Sequence, residues 1–195
     1  MESANAFIVG EKVYLRPLRD EDAEGPYPSW LNDAEVCAGN SHHVFPYAKE
    51  QAREYIRGVR GRRDCLVLAI IVPEGEHERH IGNMSLQSID YVWGSAEFGV
   101  LIGDRTAWGK GYGKEAMRLI LAHAFRSLNL HRVYCGTFDT NPGMRRLAAY
   151  VGMREEGRRR EAAFKDGRYV DIVEFGVLRS EFDERWPATA AEKAR

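Results

Sequence analysis

The chain has little excess charge of either sign. Lysine plus arginine total 28 and aspartate plus glutamate 29, a formal net charge of −1 over 195 residues. That balance supplies no polycationic surface for nucleic acid or for an anionic membrane, and neither partner is expected. Cysteine is also scarce. Cys37, Cys65 and Cys135 are odd in number, widely spaced and without a CxxC pair, which argues against a disulfide framework or a zinc site. Each reads as a small core or surface thiol in a reducing, cytoplasmic compartment. The neighbours His42 and His43 lack a third ligand at suitable spacing, so no metal is expected. Long apolar runs are missing: stretches such as Leu66 to Val72 fall far short of the roughly 20 residues needed to span a bilayer. The first residues, Met1-Glu2-Ser3-Ala4-Asn5, lack the basic and apolar regions of a signal peptide. No internal repeat or low-complexity segment is visible.

What is present fits one globular domain over residues 1–195, with loose arms at 1–11 and 187–195. Hydrophobic residues make up 44% and charged residues 29% of the chain, ordinary for a folded domain with a substantial core. Lys12 to Arg16 alternates polar and apolar, as a half-buried strand does, and Pro17 ends it. Asp20 can cap a helix that Gly25-Pro26-Tyr27-Pro28 interrupts, giving a two-part element ending near Asp33. Residues 34–47 show no period and read as a loop. Ala48 to Gly61 places Ala52, Tyr55, Ile56 and Val59 on one helical face. Cys65 to Val72 reads as a buried strand. A turn at 73–76 leads to an antiparallel partner over His80 to Ile89, and Ala96 to Ile102 forms a third strand. A helix follows over 115–127, then a strand over Arg132 to Phe138. Pro142 opens a further helix that ends at Gly152. The strands Met153 to Ala163 and Tyr169 to Leu178 flank the Asp166-Gly167 hairpin turn. The expected architecture is α+β, a mixed sheet of about seven strands with helices packed on it.

The chemistry concentrates in Trp108-Gly109-Lys110-Gly111-Tyr112-Gly113-Lys114, between an apolar strand and a helical pattern. Glycine lets backbone N–H groups approach a ligand closely, and a helix start offers unpaired N–H groups at the positive end of its dipole. A phosphate or pyrophosphate suits this site. The G-x-G-x-G spacing is not the dinucleotide G-x-G-x-x-G. Glu115 stands where a Walker A loop needs a hydroxyl.

The stretch Trp108 to Ala116 resembles the acetyl-CoA pyrophosphate loop of the GNAT acetyltransferase superfamily, most of all its RimJ/RimL-like branch. Further matching pieces lie in order: Val13 to Leu18, Leu128 to Val133, Asn141, Val151 to Gly157, Asp166 to Asp171, and Leu178 to Glu181. Together they span roughly residues 11–186. The resemblance implies a mostly antiparallel seven-stranded sheet whose strands 96–102 and 132–138 splay apart. It implies that pantetheine lies in that gap on the backbone of Val100, Leu101 and Ile102, like an added strand. The pyrophosphate would sit on Trp108, Gly109, Lys110, Gly111, Tyr112, Gly113 and Lys114, and Asn141 would reach the pantetheine arm. Lys110 and Lys114 either add charge near the phosphates or are solvated. Of Arg145 and Arg146 one could reach the cofactor, and Arg146 is the choice made here. Acetyl-CoA is then the cosubstrate, and no metal is involved.

Acetyl transfer from a thioester needs a neutral amine, a polarised carbonyl and a protonated leaving thiolate. Glu97 is the candidate base, against the alternative of a surface carboxylate. The proton donor is where the chain departs from the family, since Ala148 and Met144 occupy the positions that hold a Tyr or Ser in many members. Tyr150 would point from another helix face. Either solvent protonates the thiolate or a group from elsewhere does so. By the same resemblance, segment 27–47 and hairpin 164–170 flank the acceptor cleft, with Trp30, Asn32, Asp33, His42, His43 and Tyr169 as candidates. Asn83 and Ser85, alternating with Gln87, would line its floor. The acceptor is expected to be a small-molecule primary amine such as an amino sugar or polyamine, taken by direct transfer. A ribosomal-protein-type protein N-terminal acetyltransferase and a non-catalytic acyl-CoA sensor are the alternatives. A homodimer is an expectation at the level of the family.

Overall fold

A computed structural model of the protein describes residues 6–75 and 77–188. Eight strands form one sheet in the order β1-β2-β3-β4-β5-β6-β8-β7. They are β1 (Ile8–Val9), β2 (Tyr14–Pro17), β3 (Leu66–Glu74), β4 (His77–Asp90), β5 (Ser95–Ile102), β6 (Arg132–Phe138), β7 (Arg154–Lys165) and β8 (Arg168–Leu178). Every neighbouring pair is antiparallel except β5 and β6. The helices are α1 (Tyr27–Trp30), α2 (Lys49–Val59), α3 (Tyr112–Arg126), α4 (Pro142–Val151) and α5 (Arg179–Arg185).

The uninterrupted apolar run of β3 has a simple cause, because both faces of the sheet are covered there. Leu68, Ile70 and Val72 pack with α3, α4 and α5 in the larger core. Val67, Ala69 and Ile71 point the other way, into a second core under α1 and α2. The α1–α2 cover stops near β4. Beyond it, the same face of β6, β8 and β7 carries Arg132, Tyr134, Glu156, Arg159 and Glu174, none of them in a buried core cluster.

Three expectations change. The sheet has eight strands rather than seven, because Ile8 and Val9 pair with Leu15 and Tyr14 at the edge; the expected loose arm is therefore ordered at that point, while residues 1–5 lie outside the described residues. The strand β3 continues through Pro73 and Glu74, which an outer turn was expected to hold. The end of the chain adds α5, whose Phe182 is fully buried with its ring 5.2 Å from that of Phe125. Of the expected loose tail 187–195, residues 189–195 lie outside the described residues. The Asp166-Gly167 turn takes φ of 50° and 80°, as a tight hairpin requires.

Candidate active site

Strands β5 and β6 run parallel only through Ser95–Arg132, Ala96–Val133 and Glu97–Tyr134. After that pair they part, while β5 stays paired to β4 as far as Ile102 and β6 stays paired to β8 as far as Phe138. The result is a V-shaped gap with unpaired backbone on its walls. Gly103 donates its N–H to Ile81 O at 2.9 Å, which fixes the phase of the β4–β5 ladder. By the strict alternation of an antiparallel pair, Leu101 turns its backbone groups to Asn83. Val100 and Ile102 turn theirs into the gap. Of the three residues expected on the pantetheine arm, two therefore face it. The carbonyl of Ile102 already accepts a 2.8 Å hydrogen bond from Trp108 Nε1. Trp108 brings no charge, and this bond sets its indole against the end of β5.

At that end lies the glycine loop. Gly109 and Gly111 have φ of 75° and 85°, the left-handed region that glycine tolerates best. Gly111 is the N-cap of α3, so the first N–H groups of the helix point outward with no side-chain cap. A Cβ on Gly113 would make only ordinary contacts with Ile102 and Leu147. Glu115, in the first turn, fastens the β1–β2 turn here. Its carboxylate accepts the backbone N–H of Glu11, and that of Lys12 at 3.0 Å. That docking brings the Lys12 ammonium to 3.8 Å from the position a Cβ would take on Gly111. Lys12 is a cation at the anion loop that no local motif announces, because it arrives through a contact 103 residues distant in sequence. Lys114 turns instead toward α4, its Nζ 5.2 Å from the centre of the Tyr150 ring.

Asn141 sits at the N-cap of α4. Its Oδ1 accepts Met144 N–H at 3.0 Å, and its Nδ2 donates to Gly39 O at 3.0 Å. The residue thus ties the 33–47 loop to the helix that borders the gap. Arg145 and Arg146 are exposed and line a shallow depression with Asp139. Met144 and Ala148 are buried and hold no transferable proton. Tyr150 packs on Trp186, ring centres 5.1 Å apart.

The other face of the apex is an open recess of about 350 Å³, lined by Glu97, Tyr134, Gly136, Glu156, Glu174, Arg132 and Arg159 among others. Glu156 pairs with Arg132, and Glu174 with Arg159 at 2.8 Å. Glu97, exposed in the same recess, forms no ion pair among the described residues. Beside it Gln87 donates to Ser85 Oγ at 2.9 Å, across from Gly99. The loop 33–47 and the β7–β8 hairpin meet at Lys165, whose Nζ donates to His42 O at 3.3 Å. Burial, and after it the Lys165 charge, holds His42 below the usual imidazole range.

Residues 12–154 match the family model of the acetyltransferase (GNAT) domain. This chain belongs to the GNAT acetyltransferase family. An uncharacterized N-acetyltransferase, p20, of Bacillus licheniformis is 30% identical over 176 residues, covering 88% of this chain and 96% of that protein. The spermidine N(1)-acetyltransferase of Vibrio cholerae is 33% identical over 114 residues, covering 58% of this chain and 65% of that protein. Among solved structures, the V. cholerae spermidine N-acetyltransferase in complex with CoA and spermine superposes with a TM-score of 0.79 at 24% identity, over 89% of this chain and 99% of that one. At that identity the likeness is one of fold. Acetyl-CoA is the donor of this GNAT enzyme, and the gap and glycine loop match it: unpaired strand backbone for an amide-bearing arm, helix N–H groups for a diphosphate. Among the described residues no group of three or more His, Cys, Asp or Glu is placed to hold a metal ion.

The residues expected at the GNAT acceptor cleft divide. Trp30 is buried, and its ring fills the space a Cβ on Gly103 would need. Asn32 spends its amide on the loop itself: Oδ1 accepts Tyr47 N–H at 2.8 Å, and Nδ2 donates to Tyr47 O at 2.7 Å. Asp33 accepts Glu35 N–H at 2.8 Å, another loop contact. Asn83 and Ser85 lie on the floor, both buried. His43 is exposed on the loop. Tyr169 is exposed on the hairpin with its ring 5.2 Å from that of Phe164. Trp30 is taken up by packing and Asn32 by the loop, whereas Ser85, Glu97 and Gln87 lie on one face across β4 and β5.

Proposed function

We propose that the protein transfers the acetyl group of acetyl-CoA directly to a primary amine of a small molecule, with Glu97 as the base. The observation that supports this most is the position of Glu97, at the last pair before β5 and β6 part, exposed in the recess and without an ion pair. A thioester carbonyl drawn to the apex would present its carbon there. An ammonium held at Glu97 would give up its proton and attack that carbon, and the tetrahedral adduct would collapse with loss of CoA. The recess has the size of a small ligand, which favours such an acceptor over a protein terminus. The polyamine acceptor of the V. cholerae relatives is one candidate within the class.

A CoA-release assay with acetyl-CoA against amino sugars, polyamines, aminoglycosides, arylalkylamines and N-terminal peptides tests the reading. Turnover of at least one small amine is expected. Tight acetyl-CoA binding with no release across the panel, or release with peptides only, would sink it. Glu97→Gln should lower kcat by about 100-fold, at the lower end of what a positioned general base contributes, and leave acetyl-CoA affinity within twofold. A variant rate equal to wild type at every pH removes Glu97 from the reaction.

A further inference from the structure

The leaving thiolate lacks a donor on α4, since Met144 and Ala148 replace the protic side chains and Tyr150 is held against Trp186 and Lys114. The structure offers another phenol. Tyr134 is the partner of Glu97 in the last registered pair of β5 and β6. Side chains of paired residues project from one face of a sheet, so both stand over the apex, one from each wall of the gap, and both line the same recess. The Arg132 guanidinium lies 5.8 Å from the centre of the Tyr134 ring and is itself fastened to Glu156. That stack holds the ring at the recess, and no protein group takes up the Tyr134 hydroxyl among the described hydrogen bonds. The other protic side chains near the apex are poorer donors. The Cys135 thiol points into the core beside Met153 Sδ at 3.7 Å and is pushed up to about 12 by burial. Ser85 is buried one strand further away and engaged by Gln87.

We propose that Tyr134 is the proton donor to the CoA sulfur, a role that rests on the transfer reaction proposed above. The balance is complete. Glu97 first passes the proton of the bound ammonium through water to solvent; the amine nitrogen then forms its bond to the acetyl carbon and gives a second proton to Glu97. The C–S bond breaks, and its electron pair stays on sulfur, which takes the Tyr134 proton. The phenolate is then reprotonated, through water, with the proton that Glu97 received. The products are the acetamide and neutral CoA thiol.

Tyr134→Phe removes only the hydroxyl from a half-buried ring, so the fold and the acetyl-CoA affinity should be retained. With the fastest amine of the panel, kcat should fall about 100-fold, and the alkaline limb of the wild-type kcat profile should disappear. In the enzyme–CoA complex, followed by ultraviolet thiolate absorbance, the bound thiol should ionise at higher pH in Tyr134→Phe than in wild type, because a hydrogen bond to the thiolate has been lost. An unchanged kcat, or a lower kcat with the alkaline limb intact, overturns the proposal. Should wild type turn over no amine, the transfer reading fails. The thiol titration then decides alone, and coincident titration curves for wild type and Tyr134→Phe overturn the role of Tyr134.

Discussion

Gly111→Asp is expected to weaken acetyl-CoA binding by about 100-fold, read as Kd by calorimetry. The position caps α3 with φ of 85°, and its own N–H belongs to the group that would hold the diphosphate. Aspartate tolerates the left-handed region better than most residues, at a conformational cost on the order of 1 kcal/mol. The larger effect is electrostatic. A carboxylate set beside two phosphate charges opposes each by about 1 to 4 kcal/mol at contact distance, depending on the local dielectric. It would also draw the Lys12 ammonium, which lies 3.8 Å from the Cβ position of Gly111, into an ion pair and away from the ligand. Gly111→Asn has the same shape and backbone demand without the charge, and should lose tenfold or less. Equal losses in both variants would assign the effect to backbone strain. No loss in a folded Gly111→Asp variant would refute the loop as the diphosphate site.

How much of this was legible in advance depends on the range of each interaction. The glycine loop, the hairpin at Asp166-Gly167 and the periodic helices are local, and spacing alone exposes them. The V-shaped gap is not local. Nothing in Phe98 to Ile102 says that its neighbour departs; that came from resemblance, and the backbone then separated Leu101 from Val100 and Ile102. The surroundings of Lys12 and of the Trp108 indole were hidden for the same reason: Lys12 reads only as part of a strand, and Trp108 only as an uncharged member of the loop. Glu115 carries Lys12 to the loop, and a 2.8 Å bond places the Trp108 indole on Ile102. Trp30 and Asn32 looked like cleft residues because aromatic and amide side chains often bind ligands. In the fold Trp30 is buried and the Asn32 amide is taken up by the Tyr47 backbone. Helix α5 was missed because a single buried aromatic, Phe182, sits among charged residues and leaves little periodicity to detect.

The second large effect is expected at a buried ion pair. Arg16 and Asp22 are both buried, and they meet in a bidentate pair at 2.8 and 2.7 Å. Asp22 also accepts Arg19 N–H at 2.7 Å, and its Oδ1 lies 3.5 Å from His80 Nδ1. His80 in turn bonds Asn83 Oδ1 at 2.8 Å and sets its ring edge-on to Trp30, centres 5.0 Å apart. Asp22→Asn removes the bidentate counter-charge of the buried Arg16 guanidinium, leaving Glu78 at 3.9 Å, and should destabilise the fold by about 3 to 5 kcal/mol at neutral pH, measured by urea unfolding. Burial raises the Asp22 pKa, but the Arg16 hydrogen bonds and the Arg19 N–H outweigh it, so the group sits below its ordinary value of 3.8. A depressed carboxylate pKa stabilises the fold above the unfolded value, and that contribution is lost as pH falls through the folded one. The gap between wild type and Asp22→Asn should therefore narrow below about 4; between about 6.5 and that point it should widen modestly, because the variant also lacks the Asp22 charge that raises the His80 pKa. His80 adds acid sensitivity at higher pH in wild type. Burial holds it below the usual 6.5, so the unfolded chain binds its proton first and stability falls as pH drops below that value. A neutral-pH loss under 1 kcal/mol, or a gap that does not narrow below about pH 4, would show that Asp22 and Arg16 do not anchor this part of the fold.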